Sequence, residues 1–164
     1  MGKMGSVSAN GRSQAFPAIA WATLIAGILD ISSAFILWGL RGVSPIRGLQ
    51  IISKGFFGED SFNRGLSSAF LGLAAHFLIV FVAASLFYIA SRKLRFLTQY
   101  AIPFGLAYGV AVYTFMTCVV VPLAGFPFKH TPLEVLRSML IIMFLVGLPI
   151  ALIVRRYSRQ DGAD

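Results

Sequence analysis

LSSAFLGLAAHFLIVFVAASLFYIA, Leu66–Ala90, contains no Asp, Glu, Lys or Arg. A helix rises about 1.5 Å per residue, so about 20 mainly apolar residues cross the ~30 Å hydrocarbon core of a bilayer. This stretch meets that length. So do three others: Pro17–Leu40, Ala101–Leu123 and Leu133–Val154. The expected fold is all-α, an integral membrane, antiparallel four-helix transmembrane bundle.

The bulk composition agrees. The chain has 164 residues, is 57% hydrophobic and has a mean hydropathy of +0.81. Charged residues make up 12%, against about 25% in an ordinary soluble domain. They lie almost entirely between the apolar stretches. The segments left over are too short for a separate soluble domain, so residues 17–154 read as one membrane domain. Residues 1–16 read as a flexible basic segment and 155–164 as a polar tail.

A net charge of +8 would suggest nucleic acid as the partner of a soluble protein. Here the basic residues flank the spans, as Arg92, Lys93 and Arg95 do, and Arg155, Arg156 and Arg159. That placement speaks for topology and lipid headgroups, and against nucleic acid. The expected partners are the bilayer itself and a second copy or another membrane protein. The start, Met-Gly-Lys-Met-Gly-Ser, fits the loose myristoylation pattern, but a four-span protein needs no lipid anchor. The first apolar run is longer than a signal-peptide core and reads as a retained span.

Between the first and second spans lies the longest connection, residues 41–65. Ser44-Pro45 has the form of an N-cap followed by proline at the first helical position. Ile46, Leu49, Ile52 and Phe56 then recur at spacings of three and four, with Arg47, Gln50 and Lys54 on other faces. The pattern predicts a short amphipathic helix over 45–57, lying in the membrane interface or across the mouth of the bundle. A tight basic link, Ser91–Tyr100, joins the second and third spans. Gly125-Phe126-Pro127 marks a turn after the third, and Pro149 should loosen the last turns of the fourth.

Lys and Arg set the orientation. One side would hold Lys3, Arg12, Arg92, Lys93, Arg95, Arg155, Arg156 and Arg159; the other holds Arg41, Arg47, Lys54, Arg64, Lys129 and Arg137. The excess places both termini in the cytoplasm.

Two ionisable residues fall inside spans, where Asp, Lys or Arg costs ~2.5–3.5 kcal/mol at mid-helix on insertion scales. Asp30 lies about 20 Å past Pro17, and His76 about 21 Å before Ala90. In neighbouring antiparallel helices these depths coincide. Thr114 in the third span reaches the same level. Ala22, Ala26, Asp30 and Ala34 form one stripe and Ser68, Gly72 and His76 another, as small-residue contact faces do. Gly105 and Gly109 make a GxxxG on the third span. Asp30, His76 and Thr114 are therefore the candidate polar site. It fits either of two roles. One is a hydrogen-bonded tie that fixes helix register. The other is a protonatable relay, since histidine titrates near neutrality and a carboxylate favours its charged form.

Other chemistry is thin. Asp30, His76 and Cys118 supply one ligand per helix, short of a metal site. Only His130, in a loop, could join His76 around a haem. No Ser–His–Asp spacing, Walker loop, GxGxxG or HExxH occurs. No cofactor, metal or enzymatic activity is expected. Arg41–Gly48 (Arg-Gly-Val-Ser-Pro-Ile-Arg-Gly), with His76-Phe77 and the stretch Gly105–Pro122, resembles small four-span bacterial inner-membrane proteins of unknown function. The resemblance covers most of the chain past residue 16. It implies a bacterial inner membrane and four spans, and it assigns no activity.

Overall fold

The computed structural model describes residues 10–123 and 131–160, and among these the chain is helical with no strand. The first span is α1 (Asn10–Gly39). It begins ahead of Pro17, so residues 10–16, expected to be flexible, are helical. Residues 1–9 lie outside the described residues.

α2 (Pro45–Phe57) starts as its sequence predicts. The Ser44 hydroxyl accepts from the Arg47 amide at 3.3 Å, and Pro45 occupies the first turn. Gly58, at φ +57°, ends it in a conformation that favours glycine. A 3-10 turn (Gly58–Phe62) leads to the second span, α3 (Gly65–Lys93). A single turn, α4 (Phe96–Gln99), sits in the tight link.

The third span comprises α5 (Ala101–Phe115), a π-helical segment (Met116–Val120) and α6 (Val121–Leu123). The expected turn at Gly125-Phe126-Pro127, and His130, lie outside the described residues. The fourth comprises α7 (Pro132–Ile142), a second π-helical segment (Met143–Gly147) and α8 (Leu148–Gln160). The helix thus runs into the expected tail as far as Gln160. A capping box starts α7. The Thr131 hydroxyl accepts from the Glu134 amide at 3.3 Å, and the Glu134 carboxylate accepts from the Thr131 amide at 3.1 Å.

Each π segment stops just short of a proline, Pro122 or Pro149. Proline offers no N–H, and its ring displaces the carbonyl four residues back. A wider turn ahead of it absorbs the mismatch. The expected loosening at Pro149 takes this form, and Pro122 uses the same device.

Four helical stretches are long and apolar enough to cross a membrane: Gln14–Gly39, Gly65–Lys93, Ala101–Val120 and Pro132–Ser158. The chain is a multi-pass membrane protein. Alanines make up about half of its core. Ala18, Ala22 and Ala26 of α1 are fully buried, with Ala84 and Phe87 of α3, Ala101, and Ile150, Ala151 and Val154 of α8. Many large side chains point outward: Phe16, Leu66 and Phe70 are each more than two-thirds exposed. Lipid tails are as apolar as leucine, so burying leucine gains little, and close backbone approach through small residues holds the helices together.

α1 packs against both α3 and α8, while α5 packs on the fourth span. Glycines set that last contact. A Cβ on Gly105 would stand 2.7 Å from Ala151 Cβ, and one on Gly109 would stand 2.5 Å from Met143 Cα. A Cβ on Gly147 would meet Gly109 backbone atoms at 2.6 and 2.7 Å. The Gly105–Gly109 pair is thus a contact with the fourth span. Gly147→Ala should lower stability by about 1–3 kcal/mol, the usual cost of overpacking a site that cannot give. Thermal unfolding in detergent checks this, with Gly39→Ala as control, because a Cβ at Gly39 has nothing within 4 Å.

Candidate functional site

The polar pair forms where α1 and α3 come close, and a glycine sets the distance. A Cβ on Gly27 would stand 2.5 Å from the Phe77 ring. Its absence lets Phe77 lie against α1 and brings the neighbouring imidazole within reach. His76 Nε2 is 3.1 Å from the main-chain oxygen of Gly27. A carbonyl only accepts, so Nε2 carries a proton and donates it there. The Phe77 ring meets the imidazole edge-on at 5.4 Å. His76 Nδ1 then faces Asp30 Oδ2 at 4.0 Å. Asp30 and His76 are thus brought together, with side chains 25% and 11% exposed.

At 4.0 Å the two groups are neighbours beyond direct hydrogen-bond range. With Nε2 donating to Gly27, a neutral imidazole presents a lone pair at Nδ1. An ionised Asp30 would set a second acceptor against it. The arrangement is satisfied by one added proton. It resides either on the carboxyl, which removes the facing charge, or on Nδ1, giving imidazolium beside carboxylate.

Thr114 stands apart from this pair. It is exposed, and its hydroxyl donates to Val110 of its own helix at 2.9 Å. Equal depth does not bring it to His76, because the third span packs on the fourth. Ser33 is adjacent in sequence space, but its hydroxyl donates to the main-chain oxygen of Asp30 at 2.7 Å and leaves the carboxyl alone. Sequence reasoning missed Gly27 and Thr23. Thr23, Gly27 and Asp30 follow at spacings of four and three, so they share one face of α1. Thr23 Oγ1 is buried with no hydrogen-bond partner. That spacing is present in the sequence, beside the Ala22–Ala26 stripe with which it shares Asp30.

The second stripe meets a different neighbour from the one expected. Gly72 faces the Leu49 carbonyl of α2. The Ser68 hydroxyl donates to the Ser61 carbonyl at 2.6 Å, and Gln50 Nε2 donates to the Gly65 carbonyl at 2.9 Å. The side of α2 turned inward is Gly48, Gln50 and Ser53, while Ile46 and Phe56 are exposed. Cys118 lies exposed on the first π segment, and among the described residues no three of His, Cys, Asp and Glu gather as a metal site would require.

A double-mutant cycle on Asp30→Asn and His76→Gln should give a coupling energy of about 0.6 kcal/mol, the average for interhelical polar contacts in membranes. Unfolding in mixed micelles measures it, and strict additivity would mean that the two side chains do not interact. Protein-family profiles, curated proteins and solved structures show no match to the chain, so the reading of this pair rests on its geometry.

Proposed function

We propose that the chain is a non-enzymatic protein of the cell inner membrane, an antiparallel four-helix bundle that acts by packing with itself or with another membrane protein. The Asp30–His76 pair fixes the register of the first two spans. The observation that carries this reading is the bond from His76 Nε2 to the main-chain oxygen of Gly27 at 3.1 Å. It ties the imidazole to the backbone of the neighbouring helix, as a register pin would.

Several contacts support the antiparallel order. Gly105 lies against Ala151 and Gly109 against Met143, so one helix rises as the other descends. Arg41, just past the end of α1, pairs with Glu134 at the start of α7 at 2.6 Å. The outward Ile46 and Phe56 of α2 suit a helix lying in the membrane interface. Lys and Arg number more on the side of the termini, which supports a cytoplasmic position for both. On the opposite side Lys54 pairs with Glu59, and the Arg47 and Arg64 guanidinium groups lie over Phe62 and Phe57 at 3.6 and 4.2 Å. The resemblance to small four-span bacterial proteins supports the inner membrane as the location.

A second reading rests on the facing of His76 Nδ1 and Asp30 Oδ2 at 4.0 Å. A pair that holds one proton between two sites can pass it on, which suits a proton- or ion-linked permeation unit. Four spans are few for an internal conduit, so this reading requires an oligomer. Proton flux in proteoliposomes across a pH gradient separates the two. The expected outcome is no flux from wild type or His76→Gln, with stability or self-association reduced in the variant. Flux in wild type that vanishes in His76→Gln would overturn the packing role and establish the second.

A further inference from the structure

The second and third spans follow each other in sequence, yet they meet chiefly through one side chain. The Tyr108 hydroxyl donates to the Ala83 carbonyl at 2.7 Å, and its ring meets Phe87 at 5.0 Å. Beyond this bridge the helices leave a groove of about 410 Å³. Leu78, Val82 and Leu86 line one wall, and Ala111, Phe115 and Val120 line the other. Tyr108 supplies the only polar side chain on the lining, and its hydroxyl is already bonded. Leu86 and Leu78 lie about 6 and 18 Å below Ala90, taking 1.5 Å per residue. The groove therefore runs along the spans over roughly the ~15 Å depth of one leaflet's hydrocarbon.

The end of this groove nearest Leu86 lies under the link that joins α3 to α5. The link alternates basic and apolar residues: Lys93, Leu94, Arg95, Phe96. Lys93 and Arg95 are exposed. Leu94 and Phe96 are also more than a third exposed, and the Phe96 ring packs on Phe104 of α5 at 4.8 Å. Among the described residues the carboxylates are Asp30 at mid-span and Glu59, Asp60 and Glu134 at the opposite end, so none faces Lys93 or Arg95. Cationic heads on apolar stems, set about 10 Å above a chain-deep apolar slot, match the layout of one lipid molecule.

We propose that the groove and the link together bind one anionic phospholipid, an acyl chain lying between α3 and the third span and the phosphate held by Lys93 and Arg95. The site is independent of Asp30 and His76. Native mass spectrometry of the full chain, with phosphatidylglycerol or phosphatidylcholine added to the detergent, tests it. Wild type should retain phosphatidylglycerol about tenfold better than phosphatidylcholine. Lys93→Gln with Arg95→Gln should erase that preference, and Ala111→Trp, which fills the groove from its exposed side, should lower retention of both lipids. An unchanged preference in the double variant would overturn the headgroup assignment. Unchanged retention in Ala111→Trp, or a loss of dimer in place of a loss of lipid, would give the groove to another occupant and overturn the proposal. Should the double variant fail to insert, Ala111→Trp and competition by inorganic phosphate still decide. Phosphate that displaces the lipid leaves a headgroup site without a chain site, and it too would overturn the proposal.

Discussion

Close approach of helix backbones through alanine and glycine is the constraint on which the rest of this structure depends. In lipid no hydrophobic force drives helices together, so contact must come from packing and from interhelical hydrogen bonds. The first span makes this possible by presenting Ala18, Ala22 and Ala26, all fully buried, and it lies between the second span and the fourth. Gly27, one residue off that stripe, then lets Phe77 and His76 reach the backbone of α1. The polar pair is a consequence of this packing: a larger residue at 27 would hold the imidazole away from both Gly27 and Asp30. Glycines do the same work where the Trp38 ring covers Gly48, and where Gly72 receives the Leu49 carbonyl.

What the sequence revealed was depth, and what it concealed was direction around each helix. Hydropathy and a fixed rise per residue locate spans along the bilayer normal, so the four spans and the common level of Asp30 and His76 were legible. Local chemistry was legible too, as at Ser44-Pro45 and Pro149, because caps and prolines act on their own turn. Which helix faces which depends on how all four assemble. Thr114 shares the depth of His76 but sits on a span committed to the fourth helix by Gly105 and Gly109. Ser68 and Gly72 form a contact face, as small residues in a span predict, but the face of Gly72 meets α2. The inward side of α2 carries Gly48, Gln50 and Ser53, while Ile46 and Phe56 are exposed and Gly72 of α3 lies against the α2 backbone.

The first two spans and the last two differ in how their backbone carbonyls are treated. Around α2 and the start of α3, side-chain donors reach main-chain carbonyls. Ser53 donates to the Gln50 carbonyl at 3.0 Å, and Ser68 to the carbonyls of Ser61 and Gly65 at 2.6 and 3.1 Å. In the third and fourth spans the backbone itself adjusts, through a π segment ahead of Pro122 and of Pro149. The second answers a rule of the membrane interior: a carbonyl left without a partner in hydrocarbon costs several kcal/mol. The glycine crossing of α5 and α8 lies beside the second π segment, because Gly147 is its last residue. Backbone widening and close helix approach thus fall at one level.

The polar pair can be weighed on the same rule. An isolated ionised Asp30 at mid-span would carry the ~2.5–3.5 kcal/mol cost of a charge in the membrane. The bond from His76 Nε2 to Gly27 consumes the proton a neutral imidazole has to offer, so His76 cannot stabilise a carboxylate unless it also takes a proton on Nδ1. Either placement of that shared proton leaves the pair without net charge. A neutral pair is the form the hydrocarbon tolerates. Its cost is the desolvation of two polar groups, offset by their mutual attraction and by the contact with Gly27. That balance holds whether the proton stays or moves, which is why one geometry accommodates both a register pin and a relay, and why only proton movement itself tells them apart.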